Sequence, residues 1–371
     1  MSAPEHQSSD PPLKQIYFYL TGGCNLRCRH CWVITDQAKT EAFLDPGLLE
    51  SIVKQGQPLG LTSVKLTGGE PFLHPHIRRI LNFIKDTDLH LVVESNGVLL
   101  NPDLAKAVAS CRSPRISVSL DGSEAETHEW VRGVPGCFQA ALKGITYLVE
   151  AGLKPQIIFS MMRRNRDQIE AVVRLAEKLG AGSVKFNVIQ ASPRADVMQE
   201  NQETLTIEEL LELGYWVERE LIKNVDIPIL FHHPPAFRPL SLLCGGKAQG
   251  LTCGILNIIG VLADGSYALC GIGGYVPEMV FGHAAKDRLA DVWINHPVLR
   301  DIRDGLPQRL TGICGECLVR SRCLGFCLAQ NYYNAQDLWA PYWFCDQAEA
   351  AGLFPTTRKR PTPVEKKAKS L

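Results

Sequence analysis

From residue 16 to residue 189, short apolar runs alternate with stretches whose apolar residues recur every three or four positions. Ile16 to Leu20 reads as a first strand. Asp45-Pro46 offers a cap and a first helical residue for a helix with Leu48, Leu49, Ile52 and Val53 on one face. Ser63 to Leu66 reads as strand two, and Ile77, Ile80, Leu81 and Ile84 form the next helical stripe. Leu89 to Glu94 is strand three, Asn101-Pro102 opens a short helix, and Ile116 to Leu120 is strand four. Phe138 to Glu150 is helical up to Gly152, before strand five at Gln156 to Met161. Ile169, Val172, Val173, Ala176 and Leu179 predict a helix ending at Gly180, and Val184 to Ile189 is strand six. Strands separated by helices pair in parallel, because parallel neighbours need crossovers. A complete barrel takes eight such units. This pattern supplies six, with no internal sequence repeat.

Beyond residue 190 the character changes. Thr206-Ile207-Glu208-Glu209 is a capping box ahead of Leu210, Leu213, Val217 and Leu221. His232-His233-Pro234-Pro235 then breaks the pattern and reads as linker. Ala263 to Cys270 alternates around Asp264-Gly265, as a β-hairpin does. The predicted organisation is a disordered start (1–14), a partial barrel (15–190), a bridging segment (191–243), a cysteine-rich domain (244–354) and a disordered basic tail (355–371).

Composition narrows the function. Lys+Arg and Asp+Glu balance at 39 each, so no global field favours nucleic acid or a membrane surface. No run of about 18 apolar residues and no secretory leader is present. Without a leader the chain is expected in the reducing cytoplasm, where its 13 cysteines point to metal rather than disulfides.

Cys24, Cys28 and Cys31 follow strand one at a C-x3-C-x2-C spacing. Iron–sulfur clusters and zinc usually take four ligands, so three local thiols suggest a cluster with one open iron, or a zinc knuckle that borrows a fourth ligand. Strand two ends in Gly68-Gly69-Glu70-Pro71, strand three in Glu94-Ser95-Asn96-Gly97 and strand four in Ser119-Leu120-Asp121-Gly122. Together these segments resemble the radical S-adenosylmethionine (SAM) family. The resemblance implies a partial (β/α)6 barrel, α/β in class, whose open iron chelates SAM. It implies SAM contacts at Gly68, Gly69, Glu70, Ser95, Asn96, Ser119, Asp121 and Arg132, with Asn187, Ile189 and Trp32 about the adenine. Asn-Gly and Asp-Gly also favour turns by themselves.

The second half resembles a SPASM domain, which carries auxiliary clusters. Cys314-x2-Cys317-x5-Cys323-x3-Cys327 and the late Cys345 match its signature. The resemblance implies one auxiliary [4Fe–4S] cluster on Cys244, Cys253, Cys270 and Cys327, and another on Cys314, Cys317, Cys323 and Cys345, making three clusters with the first. Cys111 reads as buried packing, and Cys137 has no assigned role.

The combined resemblance implies a maturase. It uses a 5′-deoxyadenosyl radical to take hydrogen from a ribosomally made precursor peptide, forming a crosslink (C–C or thioether) or a backbone rearrangement. It also implies an electron donor such as flavodoxin or ferredoxin. Too few residues precede Ile16 for a leader-binding domain, so a separate leader-binding protein or this surface is expected to serve. Formylglycine-forming sulfatase maturation is an alternative. It needs a general base after Cys270, where this chain has Gly271-Ile272-Gly273-Gly274. A non-catalytic iron–sulfur or zinc-binding electron-transfer protein is a second alternative.

Overall fold

The computed structural model describes residues 11–33, 42–239, 243 and 253–360. The expectations for Cys244, for residues 1–10 and for residues 361–371 lie outside them. Two compact units are present, one formed by residues 1–232 with 254–304 and the other by 233–253 with 305–371.

The first unit is built on one sheet. β1 (Gln15–Thr21), β2 (Ser63–Gly68), β3 (His90–Ser95), β4 (Arg115–Ser119), β5 (Gln156–Met161) and β6 (Ser183–Val188) pair in parallel in that order. Each lies within a residue or two of its predicted place. The crossovers are α1 (Pro46–Gly56), α2 (Ile77–Lys85), α3 (Pro102–Ala109), α4 (Ala125–Arg132) with α5 (Cys137–Glu150), and α6 (Ile169–Lys178). Their apolar stripes cover one face of the sheet, where Ile16, Phe18, Val64, Leu66, Val118 and Phe159 are fully buried. Asp45 and Asn101 cap α1 and α3, each accepting from the backbone N–H three residues on.

The sheet extends past the predicted six strands at both edges. The bridging segment carries α7 (Pro193–Glu200), α8 (Ile207–Arg219) and β7 (Ile229–His232), and β7 pairs in parallel with β6. At the other edge β8 (Ile258–Val261) pairs in parallel with β1, and β9 (Ser266–Ala268) and β10 (Val280–His283) continue antiparallel, completing ten strands. The Asp264-Gly265 turn therefore joins two strands of the main sheet. The expected division at residues 190 and 244 is displaced accordingly, because strand pairing draws 191–232 and 254–304 into the first unit. The start is also ordered from residue 11: Leu13 is fully buried, and Trp293 donates to the Pro11 carbonyl at 3.3 Å.

In the second unit, short helices at Gly312–Glu316, Arg320–Cys323, Leu328–Ala335 and Trp343–Ala350 pack on an aromatic centre. There Phe237 meets Phe344 and Phe354 edge-on, with ring centroids 5.2 and 5.5 Å apart. No helix among the described residues is long and apolar enough to cross a membrane.

Candidate active site and metal centres

The cysteine loop follows β1 directly. Two main-chain bonds tie it to the end of α4, Arg27 N–H to the Arg132 carbonyl and Arg29 N–H to the Val131 carbonyl, each at 3.0 Å. On its other side it meets the end of β2, where Glu70 N–H donates to the Gly23 carbonyl at 3.0 Å. A Cβ on Gly69 would lie 1.8 Å from that carbonyl oxygen. Glycine is thus required at 69 to let the cysteine loop close against the sheet.

Cys28 packs with Leu26 and Cys137, and Cys24, Cys31, Val98 and Val134 gather against them. Asn96 Nδ2 and Leu26 N–H point at Cys24 Sγ, at 3.7 and 3.4 Å, and Arg132 points a guanidinium N–H at Cys28 Sγ at 3.5 Å. Burial pushes the Cys24 thiol up to about 12 and raises Cys28, against the pull of Arg132. Such thiols ionise only when a cation takes the place of their protons. Three sulfurs in an apolar nook, two of them already facing N–H donors, fit an iron–sulfur cluster.

The strand-end side chains expected about SAM bond to one another and to backbone. Glu70 is fully buried, and its carboxylate accepts from Ser95 Oγ (2.8 Å), Phe72 N–H (3.2 Å) and Asn96 N–H (2.8 Å). Burial lifts it to about 7 in spite of these three donors. The carboxylate therefore staples β3 to β2, and Ser95 and Asn96 serve the same joint. Asp121 is also fully buried; it accepts from Ser160 N–H (2.7 Å) and pairs with Arg132 (2.6 Å). Arg132, the arginine expected to fork onto SAM, spans from Asp121 to Cys28 and ties the cysteine loop to β4. His30 lies 4.0 Å from Asp121, and burial takes His30 and His128 down to about 4 each. Ser119, Asn187, Ile189 and Trp32 are half-buried. Asn187 Oδ1 has no hydrogen-bond partner, and Ile189 packs beside Trp130 against Val131, Met162 and Met198.

Tyr19 was not among the residues expected at the site. It is 4% exposed, and its hydroxyl accepts from Gly271 N–H at 2.6 Å, just after Cys270. Burial, then the neighbouring Cys270 thiol, raises the phenol well above its usual range. A Cβ on Gly271 would lie 2.7 Å from the Tyr19 ring, and one on Gly273 2.6 Å from Ala268 Cβ. The glycine loop after Cys270 thus accommodates the protein's own tyrosine and hairpin.

In the second unit, Cys314, Cys317, Cys323 and Cys345 line one cavity together with Pro234, Ala236, Ile313, Val319 and Phe354. Tyr342 N–H donates to Cys314 Sγ at 3.4 Å, and a hydrogen bond between Cys314 and Cys345 lowers the first thiol and raises the second. Four thiols in apolar surroundings suit a fully ligated cluster. Of the other expected set, Cys253, Cys270 and Cys327 are half-buried.

Residues 18–176 match the radical SAM superfamily, and residues 253–318 match the SPASM iron–sulfur cluster-binding domain. The chain is a radical SAM enzyme with a SPASM domain. It uses SAM and iron–sulfur clusters. It is 28% identical over 338 residues to an AdoMet-dependent heme synthase of Methanosarcina barkeri, covering 89% of this chain and 95% of that protein. It is 27% identical over 354 residues to the mycofactocin maturase of Mycobacterium ulcerans, covering 93% and 90%. Streptococcus suis SuiB bound to S-adenosylmethionine shares the fold, with a TM-score of 0.72 at 17% identity over 90% of this chain and 77% of that one.

Proposed function

We propose that this enzyme matures a ribosomally made peptide, taking a hydrogen from it and leaving a crosslink or a rearranged backbone. The observation that carries the reading is the four-thiol cavity, a second redox-capable site beyond the cysteine loop. The likeness to a mycofactocin maturase over 93% of the chain supports the peptide. Bound at a cluster on Cys24, Cys28 and Cys31, SAM would supply, after taking up one electron from the donor, methionine and the 5′-deoxyadenosyl group that removes the hydrogen.

The chain's residues then have distinct tasks. Cys24, Cys28 and Cys31 hold the SAM cluster; Cys244, Cys253, Cys270 and Cys327 hold a second; Cys314, Cys317, Cys323 and Cys345 hold a third. Main chain at Gly68, Gly69 and Glu70, with Ser119, flanks the amino-acid end of SAM. Asn187 Oδ1 accepts from the nucleoside, and Ile189 and Trp32 exclude water from its base. Glu70, Ser95, Asn96, Asp121 and Arg132 line the same strand ends and brace them through their mutual hydrogen bonds. Flavodoxin or ferredoxin supplies electrons, a separate protein presents the leader, and the cytoplasm provides the reducing surroundings.

Co-expression with the small peptide encoded beside this protein tests the reading. A crosslink removes two hydrogens from the peptide's mass, and backbone excision removes a fragment. An unchanged peptide, free also of epimers, from cells holding cluster-loaded enzyme overturns it. A tetrapyrrole substrate is the second reading, favoured by the heme-synthase likeness. Iron-coproporphyrin III incubated with SAM and dithionite, and consumed with 5′-deoxyadenosine formation, would establish that instead. Sulfatase maturation is disfavoured, because Gly271 after Cys270 cannot take a proton.

A further inference from the structure

The four-thiol cavity has a cationic side that the cysteine spacing does not announce. Arg320, half-buried, lines the cavity together with Cys314, Cys317, Cys323 and Cys345. Its Nη1 donates to the Gly315 carbonyl at 2.8 Å, and its main-chain N–H donates to the Cys317 carbonyl at 3.2 Å. The guanidinium therefore clasps the loop between the first two thiols, while its own helix carries the third, Cys323.

The basic stretch from 355, expected as a disordered tail, closes on the same loop. Leu318 N–H donates to the Arg358 carbonyl at 2.8 Å, and Arg360 N–H donates to the Glu316 carbonyl at 2.9 Å. Arg358 Nη2 donates to the Arg238 carbonyl at 3.2 Å, and its Nε is buried with no hydrogen-bond partner. Among the described residues neither Arg320 nor Arg358 pairs with a carboxylate; Glu349 pairs with Lys359 instead.

A guanidinium bonded only to carbonyls beside an apolar cavity gains little for folding, because its charge is desolvated without a counter-charge. It suits a place where negative charge arrives. Four thiols that exchange their protons for iron form such a place, since the cluster they hold is an anion and becomes more negative on reduction. An arginine keeps its charge at every working pH, and apolar walls strengthen its field.

We propose that Arg320 is a positioning residue for the four-thiol cluster: it fixes the loop between Cys314 and Cys317 and raises the cluster's reduction potential by its permanent charge. The proposal rests on the reading that these four thiols hold an iron–sulfur cluster.

The test is a potentiometric titration of the anaerobic holoenzyme followed by electron paramagnetic resonance, reading the signal that Cys317→Ala removes. Arg320→Gln keeps an N–H donor and loses the charge. At a fixed potential it should lower the ratio of reduced to oxidised cluster about tenfold, or about 59 mV for one electron. Arg320→Lys keeps the charge and should stay within about twofold of the parent. Equal shifts in the two variants would make the arginine purely structural and overturn the role. An unmoved signal in Arg320→Gln, or a cluster lost from it, overturns the role as well. If Cys317→Ala removes neither signal nor iron, the cluster reading itself fails and takes the Arg320 assignment with it.

Discussion

The cysteine loop after β1 and the four-thiol cavity of the second unit solve different problems with the same residue. The loop offers three sulfurs, meets guanidinium and amide N–H groups, and is tied by main chain to α4 and β2. The cavity offers four sulfurs among proline, isoleucine, valine and phenylalanine with Arg320 beside them, and backbone N–H groups of Val319, Phe326 and Tyr342 meet three of the thiols. An incomplete, hydrogen-bonded set leaves a coordination position for a ligand and adjusts its electronics. A complete set in apolar walls closes the metal to chemistry and leaves it electron transfer. On the proposed function, ligand count separates the reacting centre from the conducting one.

The strongest way to break that contrast is Cys28→Ala. It should reduce 5′-deoxyadenosine formation to background, measured chromatographically after adding SAM and dithionite. Cys317→Ala should leave part of that cleavage but abolish modified peptide, measured by mass. Normal product from Cys317→Ala would remove the cavity from the chemistry.

Arg132→Met probes the polar wall. It strands the fully buried Asp121 and should cost about 3–5 kcal/mol in denaturant unfolding. Arg132→Lys should restore part of that loss.

The smallest effect concerns Glu70. Its folded carboxyl is raised from 4.5 to about 7, so its contribution to stability is full below the lower value and is lost as pH rises through the upper one. Thermal midpoints of the metal-free protein should fall over that interval, and Glu70→Gln should flatten the slope. An unchanged slope in the variant would assign the dependence elsewhere.

The six central strands were legible because their helix-facing residues are apolar and their breaks carry Asp-Pro, Asn-Pro and glycine. β7 was not, since Ile229–His232 is short and runs into His233-Pro234-Pro235, which reads as a linker. β8 was hidden because its partner, β1, is about 240 residues away, and pairing at that distance leaves no local periodicity. The cysteine loop after β1 could be picked out by its spacing, whereas the division of the later cysteines into sets came only from the family resemblance. The hydrogen bonds that Glu70, Asp121 and Arg132 make within the protein were not legible: a carboxylate that accepts from backbone and one that accepts from a ligand have the same sequence. Tyr19 was concealed in the apolar run of β1, where only its contact with Gly271 distinguishes it.

The pairing of β8 with β1 bears on how the chain is made. β1 is flanked on one side early in synthesis, by β2, but its other edge stays bare until residues 258–261 emerge. Through most of synthesis the nascent protein therefore presents an unpaired strand edge, the kind that recruits other chains. Truncations ending near residue 232 should accumulate as inclusion bodies, and prompt elongation or a chaperone would protect the full chain during that interval.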